Sequence, residues 1–414
     1  MKQLIMITNY FPFGSDTGEM YLRHEIFEAS RIFDQVIILS CDAKDEPIFT
    51  DNLPQNVLYF ALDSKLSKIS SITMALSSGY LKDNQAIICE RKNNTFARNL
   101  FLNYFLNKVR YRIKKIQKLE ILKSNSEDKI IIYAYRLFDL AMIGIYLKEQ
   151  YFHNAVVVSR AHGYDLYEDR NRLNYLPCRI YLMSRLHMIY PCSFDGEKYL
   201  KNNYKSFENK ILCSYLGSID YGFKDKCNST TFRVISCSNV IPVKRVDKIA
   251  EVIFELSKRI DIVWTHIGDG AELDKIKKKY CNEISNRIML FTGKQKHEQV
   301  IKLYQGNCYD LFINLSESEG IPQAMMEALS FGIPVLATNV GGNSEIVLND
   351  YTGYLVEKEA DIHKAADNID KYSKINIESI NIMRRNCRKR WEDLFDAKNN
   401  STQFFEGILN RQQG

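Results

Sequence analysis

A chain of 414 residues carries enough material for two domain-sized cores, or three small ones. Its 56 lysines and arginines against 50 aspartates and glutamates leave a net charge of +6, so the placement of charge matters more than its total. Ten cysteines without a C-x-x-C pair or a histidine at zinc spacing argue against a disulfide scaffold or structural metal, and fit a reduced, cytoplasmic compartment. The opening MKQLIMITNYFPFG is broken by Asn9 before it reaches signal-peptide length, and no run approaches a transmembrane span.

Residues 4–8 (LIMIT) read as a buried strand, followed by the loop NYFPFGSDTGE, a helix over 20–33 and a strand over 36–40. That is the opening of a Rossmann-like half. Gly14 and Gly18 lie in its first strand-to-helix loop, where glycine lets backbone approach a ligand. They do not form a G-x-G-x-x-G fingerprint, and turn glycines are the simpler account of the loop taken alone.

A third strand, 57–61, precedes a helical stretch in which Leu102, Phe105, Leu106, Val109, Ile113 and Ile116 recur at helical spacing. Lys108, Arg112, Lys114, Lys115 and Lys118 surround that stripe. The pattern is a basic amphipathic helix that suits an anionic membrane surface; the plainer reading is a core-packed helix with a solvated basic face. Nucleic acid fits worse, because no aromatic platform motif accompanies the charge. Strands at 129–135 and 155–162 follow, the second ending at His162 beside Asp165. A lone histidine is commonly structural, but the carboxyl end of a central strand is where a ligand-contacting imidazole sits. Residues 187–193 and 211–217 read as the last strands of this half, and 218–230 as a linker.

A second α/β series starts with strands at 232–238, 261–268 and 288–293. It culminates in DLFINLSESEGIPQAMMEALSFGIPVLATNVGGNSE, residues 310–345. LFINL and IPVLAT are continuous apolar runs, as buried parallel strands require, with a short helix between them. Pro322 suits a helix start, and Gly332 with Pro334 a helix stop. Glu319 falls in the loop at the carboxyl end of the first strand, and Glu327 inside the helix. Such a place suits a phosphate-bearing, hydroxyl-rich ligand, while helix capping by acidic residues explains the pattern equally well. The expected architecture is α/β: residues 1–217 and 218–390 as two Rossmann-like domains facing across a cleft, with 391–414 as a helical segment returning to the first.

Over nearly its whole length the chain resembles the retaining glycosyltransferases of family 4, which have the GT-B fold. The resemblance rests on the E-x7-E pair at Glu319 and Glu327, on IPVKRVD (241–247), HIGDG (266–270), LFTG (290–293) and HGYD (162–165), and more loosely on FPFG…GE. It is weakest over 62–128.

The resemblance implies a role for each matching position. Glu327 is expected at the nucleotide ribose, Glu319 at the donor sugar, and the backbone of Gly320, Ile321 and Gln323 at the diphosphate. Lys244 is expected to neutralise the leaving group and His162 to lie near the transferred sugar, approached by the loop of Gly14 and Gly18. Gly268, Gly270, Phe291 and Gly293 are expected around the base. Two departures stand out: Asn239 occupies the family's usual arginine position, with Arg245 as the candidate replacement, and Ile321 and Pro322 replace the usual Phe-Gly after Glu319-Gly320.

The implied reaction moves a sugar, with retention and without a metal or other cofactor, from a UDP- or GDP-linked donor to a lipid-linked or polysaccharide acceptor. The expected setting is cell-surface glycan synthesis, with the protein cytoplasmic and peripheral to the inner face of the membrane. A catalytically silent nucleotide-sugar-binding partner of an assembly complex, or a GT-B sugar-nucleotide epimerase, would use the same residues.

Overall fold

Two six-stranded sheets, each wholly parallel, organise the chain. The structure, a computed structural model, describes residues 1–13, 19, 22–44, 53–77, 84–119, 128–226, 229–358 and 362–411. Its two compact units are Met1–Leu216 with Lys398–Gly414, and Gly217–Ala397.

The first unit contains β1 (Lys2–Thr8), β2 (Gln35–Ser40), β3 (Val57–Ala61), β4 (Lys129–Ala134), β5 (Val156–Ala161) and β6 (Met188–Pro191). They lie in the order β3-β2-β1-β4-β5-β6. β1 is buried along all but its first residue, because helices cover both faces of a parallel sheet and leave no room for polar alternation. The order reverses between β1 and β4, which pair directly, Leu4 opposite Ile131. The expected strand over 211–217 is not one. Ile211 makes an isolated bridge to Ile189, and the Leu212 and Ser214 amides donate to the Ile189 and Pro191 carbonyls at 3.1 and 2.9 Å. The Cys213 amide, however, donates to Glu197 and the Ser214 carbonyl accepts from Arg160, so no regular strand continues.

The second unit repeats the plan with β7 (Phe232–Cys237), β8 (Ile262–Ile267), β9 (Met289–Phe291), β10 (Leu311–Asn314), β11 (Val335–Thr338) and β12 (Gly353–Val356), ordered β12-β11-β10-β7-β8-β9. Here the reversal falls between β7 and β10, with Leu311 opposite Val234. The helix Gln323–Ser330 stops at Gly332, whose φ of +73° places it in the left-handed region that glycine favours.

The boundary expected at 390 lies further on. Helix Ile377–Leu394 runs unbroken through it, and Trp391 is buried with its indole N–H donating 2.7 Å to Ser218 Oγ, so residues through Ala397 belong to the second unit. The helix Ala397–Arg411 then places Phe404, Phe405 and Ile408 in the core of the first unit, where the Arg160 guanidinium lies 4.2 Å over the Phe404 ring. Cys41, Cys178, Cys192 and Cys387 are buried free thiols, whereas Cys308 is disulfide-bonded, which the expectation of a reduced compartment did not include.

Candidate functional site

Where the order of a parallel sheet reverses, neighbouring strands send their following loops to opposite sides, and a crevice opens at their carboxyl ends. In the second unit that place lies between β7 and β10. The loop after β7 closes in a short helical turn, Pro242–Lys244, and the loop after β10 carries Glu319. The Glu317 amide donates 2.8 Å to the Val243 carbonyl, which ties the two loops together. Lys244 Nζ therefore reaches both oxygens of Glu319, at 2.7 and 2.8 Å, and Asn314 Nδ2 donates to Oε1 at 3.2 Å. Glu319 is buried, whereas the Lys244 side chain keeps a quarter of its surface exposed.

Glu327 lies within helix Gln323–Ser330 on its buried face. Its Oε1 lies 2.8 Å from His297 Nε2, at the first residue of helix His297–Gly306. The bond to Glu327 is the main cause that raises the His297 pKa above its ordinary value. His297 was not among the expected site residues. Its one sequence signal is its place directly after the LFTG loop, at the start of a helix.

The remaining expected positions are distributed around this pair. Gly320 accepts at its carbonyl from the Gly342 amide at 2.8 Å, and the Gln323 side-chain amide donates to the Gly217 carbonyl at 3.1 Å. A Cβ at Gly341, whose φ is +51°, would lie 2.1 Å from the Glu319 carbonyl oxygen, so only glycine permits the loop after β11 to pass this close. Gly268 donates to the Gly293 carbonyl at 3.0 Å and has a φ of +148°; a Cβ there would lie 1.8 Å from the Ser238 carbonyl oxygen. Phe291 packs its ring edge-on to Trp264 at 5.3 Å. Gly270 comes close to the Val240 backbone, and Asn239 is exposed. Arg245 donates to the Lys358 carbonyl at 2.8 Å, so its guanidinium is engaged after β12 rather than with Glu319. An ammonium, two buried carboxylates and the first turn of helix Gln323–Ser330 at one crevice suit a ligand with both anionic and hydroxyl groups.

At the reversal in the first unit, between β1 and β4, the fully buried Arg112 donates to Asp139 at 2.9 Å and to Asp42 at 2.6 Å. Lys108 Nζ lies 2.9 Å from the same Asp139 oxygen. Burial works to raise the Asp139 pKa, but Arg112 and Lys108 outweigh it and hold the carboxyl at about 2. These two cations were expected to face a membrane, and they do not. Their partners lie at the carboxyl ends of β2 and β4, which pull them inward from helix Phe96–Ile116. Lys114 on the same helix and Lys118 just past its end are exposed, and Lys115 is half-buried. Nearby, the buried Glu19 accepts from the amides of Asn9, Tyr10 and Phe11 at 3.0, 2.6 and 3.0 Å, fixing the loop after β1. Gly14 and Gly18 lie outside the described residues.

His162 sits at the carboxyl end of β5, as its strand reading expects. Its Nε2 donates to the Tyr135 carbonyl at 2.9 Å, and the Cys192 thiol faces Nδ1 at 3.5 Å. Burial, with Arg136 and Arg160 adding, pushes its pKa well below the ordinary value and keeps the imidazole neutral. The histidine is thus a polar, uncharged group with both ring nitrogens engaged inside its own unit.

This architecture is the GT-B fold. Residues 220–390 match the family described as glycosyl transferases group 1. The chain is 30% identical over 223 residues to the Escherichia coli O-antigen biosynthesis glycosyltransferase WbnH, covering 51% of this chain and 61% of that one. It is 29% identical over 143 residues to the E. coli UDP-Gal:alpha-D-GlcNAc-diphosphoundecaprenol alpha-1,3-galactosyltransferase, covering 34% and 35%. It thus spans between about a third and three fifths of the length of these curated relatives. Among solved structures it is similar to the apo lipopolysaccharide outer core galactosyltransferase WaaB, with a TM-score of 0.66 at 12% identity over 99% of both chains. Anabaena Alr3699/HepE in complex with UDP and glucose gives a TM-score of 0.66 at 14% identity, over 98% of this chain and 99% of that one.

Proposed function

We propose that the protein is a retaining glycosyltransferase of family 4 that takes a sugar from a nucleotide-sugar donor, UDP-linked in preference to GDP-linked. The observation that carries this reading is the meeting of Lys244 with Glu319 at the β7/β10 reversal, with Glu327 behind them in the adjoining helix. In this reading Lys244 and the backbone from Gly320 to Gln323 receive the diphosphate, Glu319 the sugar hydroxyls and Glu327 the ribose. The bond from the anomeric carbon to the phosphate oxygen breaks as the acceptor hydroxyl enters on the same face, and its proton passes to the departing phosphate. Charge builds on the leaving group in that step, and a preorganised ammonium stabilises it there more than in the ground state. His162, neutral and with both ring nitrogens held inside the first unit, takes up no proton in this reading. UDP is preferred because the curated galactosyltransferase relative is named for UDP-Gal and the Alr3699/HepE structures contain UDP.

The acceptor in this reading is lipid-linked or a polysaccharide, in cell-surface glycan synthesis, and the protein works from the cytoplasmic side as a peripheral membrane protein. Among the described residues no helix is long and apolar enough to cross a membrane. Attachment is instead assigned to exposed side chains of the first unit. Helix Lys68–Leu76 has no buried residue and exposes Ile69, Ile72 and Leu76 at 78%, 61% and 70%, a stripe along one face. Exposed Arg110, Lys114 and Lys118 supply positive charge.

Incubation with a panel of UDP- and GDP-sugars tests the reading. Slow hydrolysis of one UDP-sugar, and its acceleration by undecaprenyl-diphosphate-linked saccharides, is the expected result. Stabilisation by UDP without turnover on any acceptor would make the protein a binding partner only, and epimerised nucleotide sugar formed without acceptor would make it an epimerase.

A further inference from the structure

At the amino ends of β5 and β6, opposite the strand ends that lead to His162, the first unit contains a cavity of about 560 Å³. That volume lies in the range of small-molecule sites, roughly 300–1,000 Å³. One wall is apolar, formed by Val156, Leu186 and Ile408; the other is polar, formed by the cations Lys148 and Arg411 with His187 between the strands' ends.

The protons on the polar wall do not balance. The Val157 amide donates to His187 Nδ1 at 3.0 Å, and a backbone amide can only donate. Nδ1 is therefore the acceptor nitrogen, and the ring proton sits on Nε2. Nε2 lies 3.0 Å from Lys148 Nζ, so an N–H of the ring faces an ammonium. Two donors in contact make no bond and leave both groups needing an acceptor. Burial lowers the pKa of both groups; the Lys148 charge lowers that of His187 further, while Glu149 partly offsets the lowering at Lys148.

The charged neighbours do not supply that acceptor. Lys210 spends its donors on the carbonyls of Met183, Ser184 and Leu186, at 3.3, 3.0 and 2.9 Å, at the end of helix Arg179–Arg185. Glu149 faces Arg185 at 3.7 Å. The guanidinium of Arg411 lies 3.2 Å from the Met188 sulfur, a weak acceptor.

We propose that this cavity binds a phosphate monoester, its oxyanion accepting from Lys148, His187 Nε2 and Arg411 while its organic part lies on the apolar wall. A phosphate monoester near its second pKa carries about −1.5 to −2 of charge and three acceptor oxygens. Those quantities match the two cations, Lys148 and Arg411, and the three donors that they and His187 Nε2 present. The site is separate from the Lys244–Glu319 crevice, and the inference does not depend on the proposed transfer reaction.

Titration calorimetry of the full chain with phenyl phosphate, inorganic phosphate and benzyl alcohol tests it. The ester should bind about tenfold or more tightly than either inorganic phosphate or the neutral alcohol, because only it uses both walls. Lys148→Met should weaken it by about tenfold, and Lys244→Ala, in the other unit, should leave it unchanged. If Lys148→Met does not fold, Arg411→Gln at the exposed last turn serves instead, with an expected loss of about threefold. No binding at millimolar ester, or binding lost in Lys244→Ala but kept in Lys148→Met or Arg411→Gln, overturns the proposal. So does equal binding of ester and alcohol.

Discussion

Lys244 and Glu319 hold one another across the reversal in the second sheet, the ammonium within 2.8 Å of both carboxylate oxygens. The residue assigned to a diphosphate is thus already paired with the residue assigned to the sugar. An incoming diphosphate must compete with Glu319 for the same cation. Glu319→Gln removes that competitor and one negative charge. UDP should then bind about three- to tenfold more tightly, while kcat for transfer falls, because the sugar loses its carboxylate. Weaker UDP binding in calorimetry would show that the carboxylate positions Lys244 for the ligand rather than competing for it.

Lys244→Ala should lower kcat on the order of 100-fold with a smaller change in donor KM, the signature of a group acting mainly on transition-state charge. Arg245→Ala should stay within a few-fold of the parent, since Arg245 is engaged with the Lys358 carbonyl. Steady-state kinetics on both variants checks the pair, and equal losses would give Arg245 the role of the arginine absent at Asn239.

Glu327→Ala should weaken UDP binding by about 1.5–3 kcal/mol, the worth of a charged acceptor to a buried hydroxyl. His297→Gln should weaken it less and remove a pH dependence. The folded-state pKa of His297 is raised, so its ionic support of Glu327 is fully present below the unfolded value and is lost as pH rises through the folded one. UDP affinity measured from pH 6 to 9 should fall across that window in the parent and stay flat in the variant.

Acid should destabilise the second unit through His266. This side chain is fully buried in β8 with Ser236 Oγ 2.8 Å from Nδ1, and burial pulls its pKa from 6.5 down to about 4. Between those values the unfolded chain binds more protons than the folded one, so stability is complete above the unfolded pKa and is lost as pH falls toward 4. The loss reaches at most about 3 kcal/mol. Melting temperatures from pH 7.5 to 4.5 should fall more steeply for the parent than for His266→Asn, and parallel curves would contradict the assignment.

Arg112→Met should cost the first unit about 3–5 kcal/mol by leaving buried Asp139 and half-buried Asp42 without their main cation, whereas Lys114→Glu with Lys118→Glu should leave stability nearly unchanged. The double charge reversal should instead release the protein from anionic vesicles, as should Ile72→Asp. Urea unfolding and vesicle co-sedimentation separate the two effects.

The parallel strands were legible because burial on both faces leaves continuous apolar runs, and LIMIT, VIILS and LFINL all prove to be interior strands. Lys244 was legible only through the resemblance carried by IPVKRVD, since a loop separates it from the strand before it, whereas Glu319 was legible as lying in the loop after LFINL. The buried charge network was not. Arg112 sits in a run of surface-like cations, and only folding brings it to Asp42 and Asp139, 70 and 27 positions away. His297 was hidden for the same reason, lying 30 positions from the carboxylate it holds. ILCSYLG has the composition of a strand and gives two amides to β6, but its Cys213 amide and Ser214 carbonyl go to Glu197 and Arg160, side chains that no local pattern reveals.

The chain leaves the first unit after Leu216 and re-enters it at Lys398. Phe404, Phe405 and Ile408, which finish that unit's core, therefore emerge from the ribosome after every residue of the second unit. Vectorial synthesis usually lets the earlier domain close first. Here the order inverts: the half translated first waits, with an apolar seam open beside Tyr133 and Tyr190, while the half translated second has all its residues in hand. A chain released at Ala397 would carry a complete second unit joined to an unfinished first one, and that exposed seam is the surface a chaperone would meet.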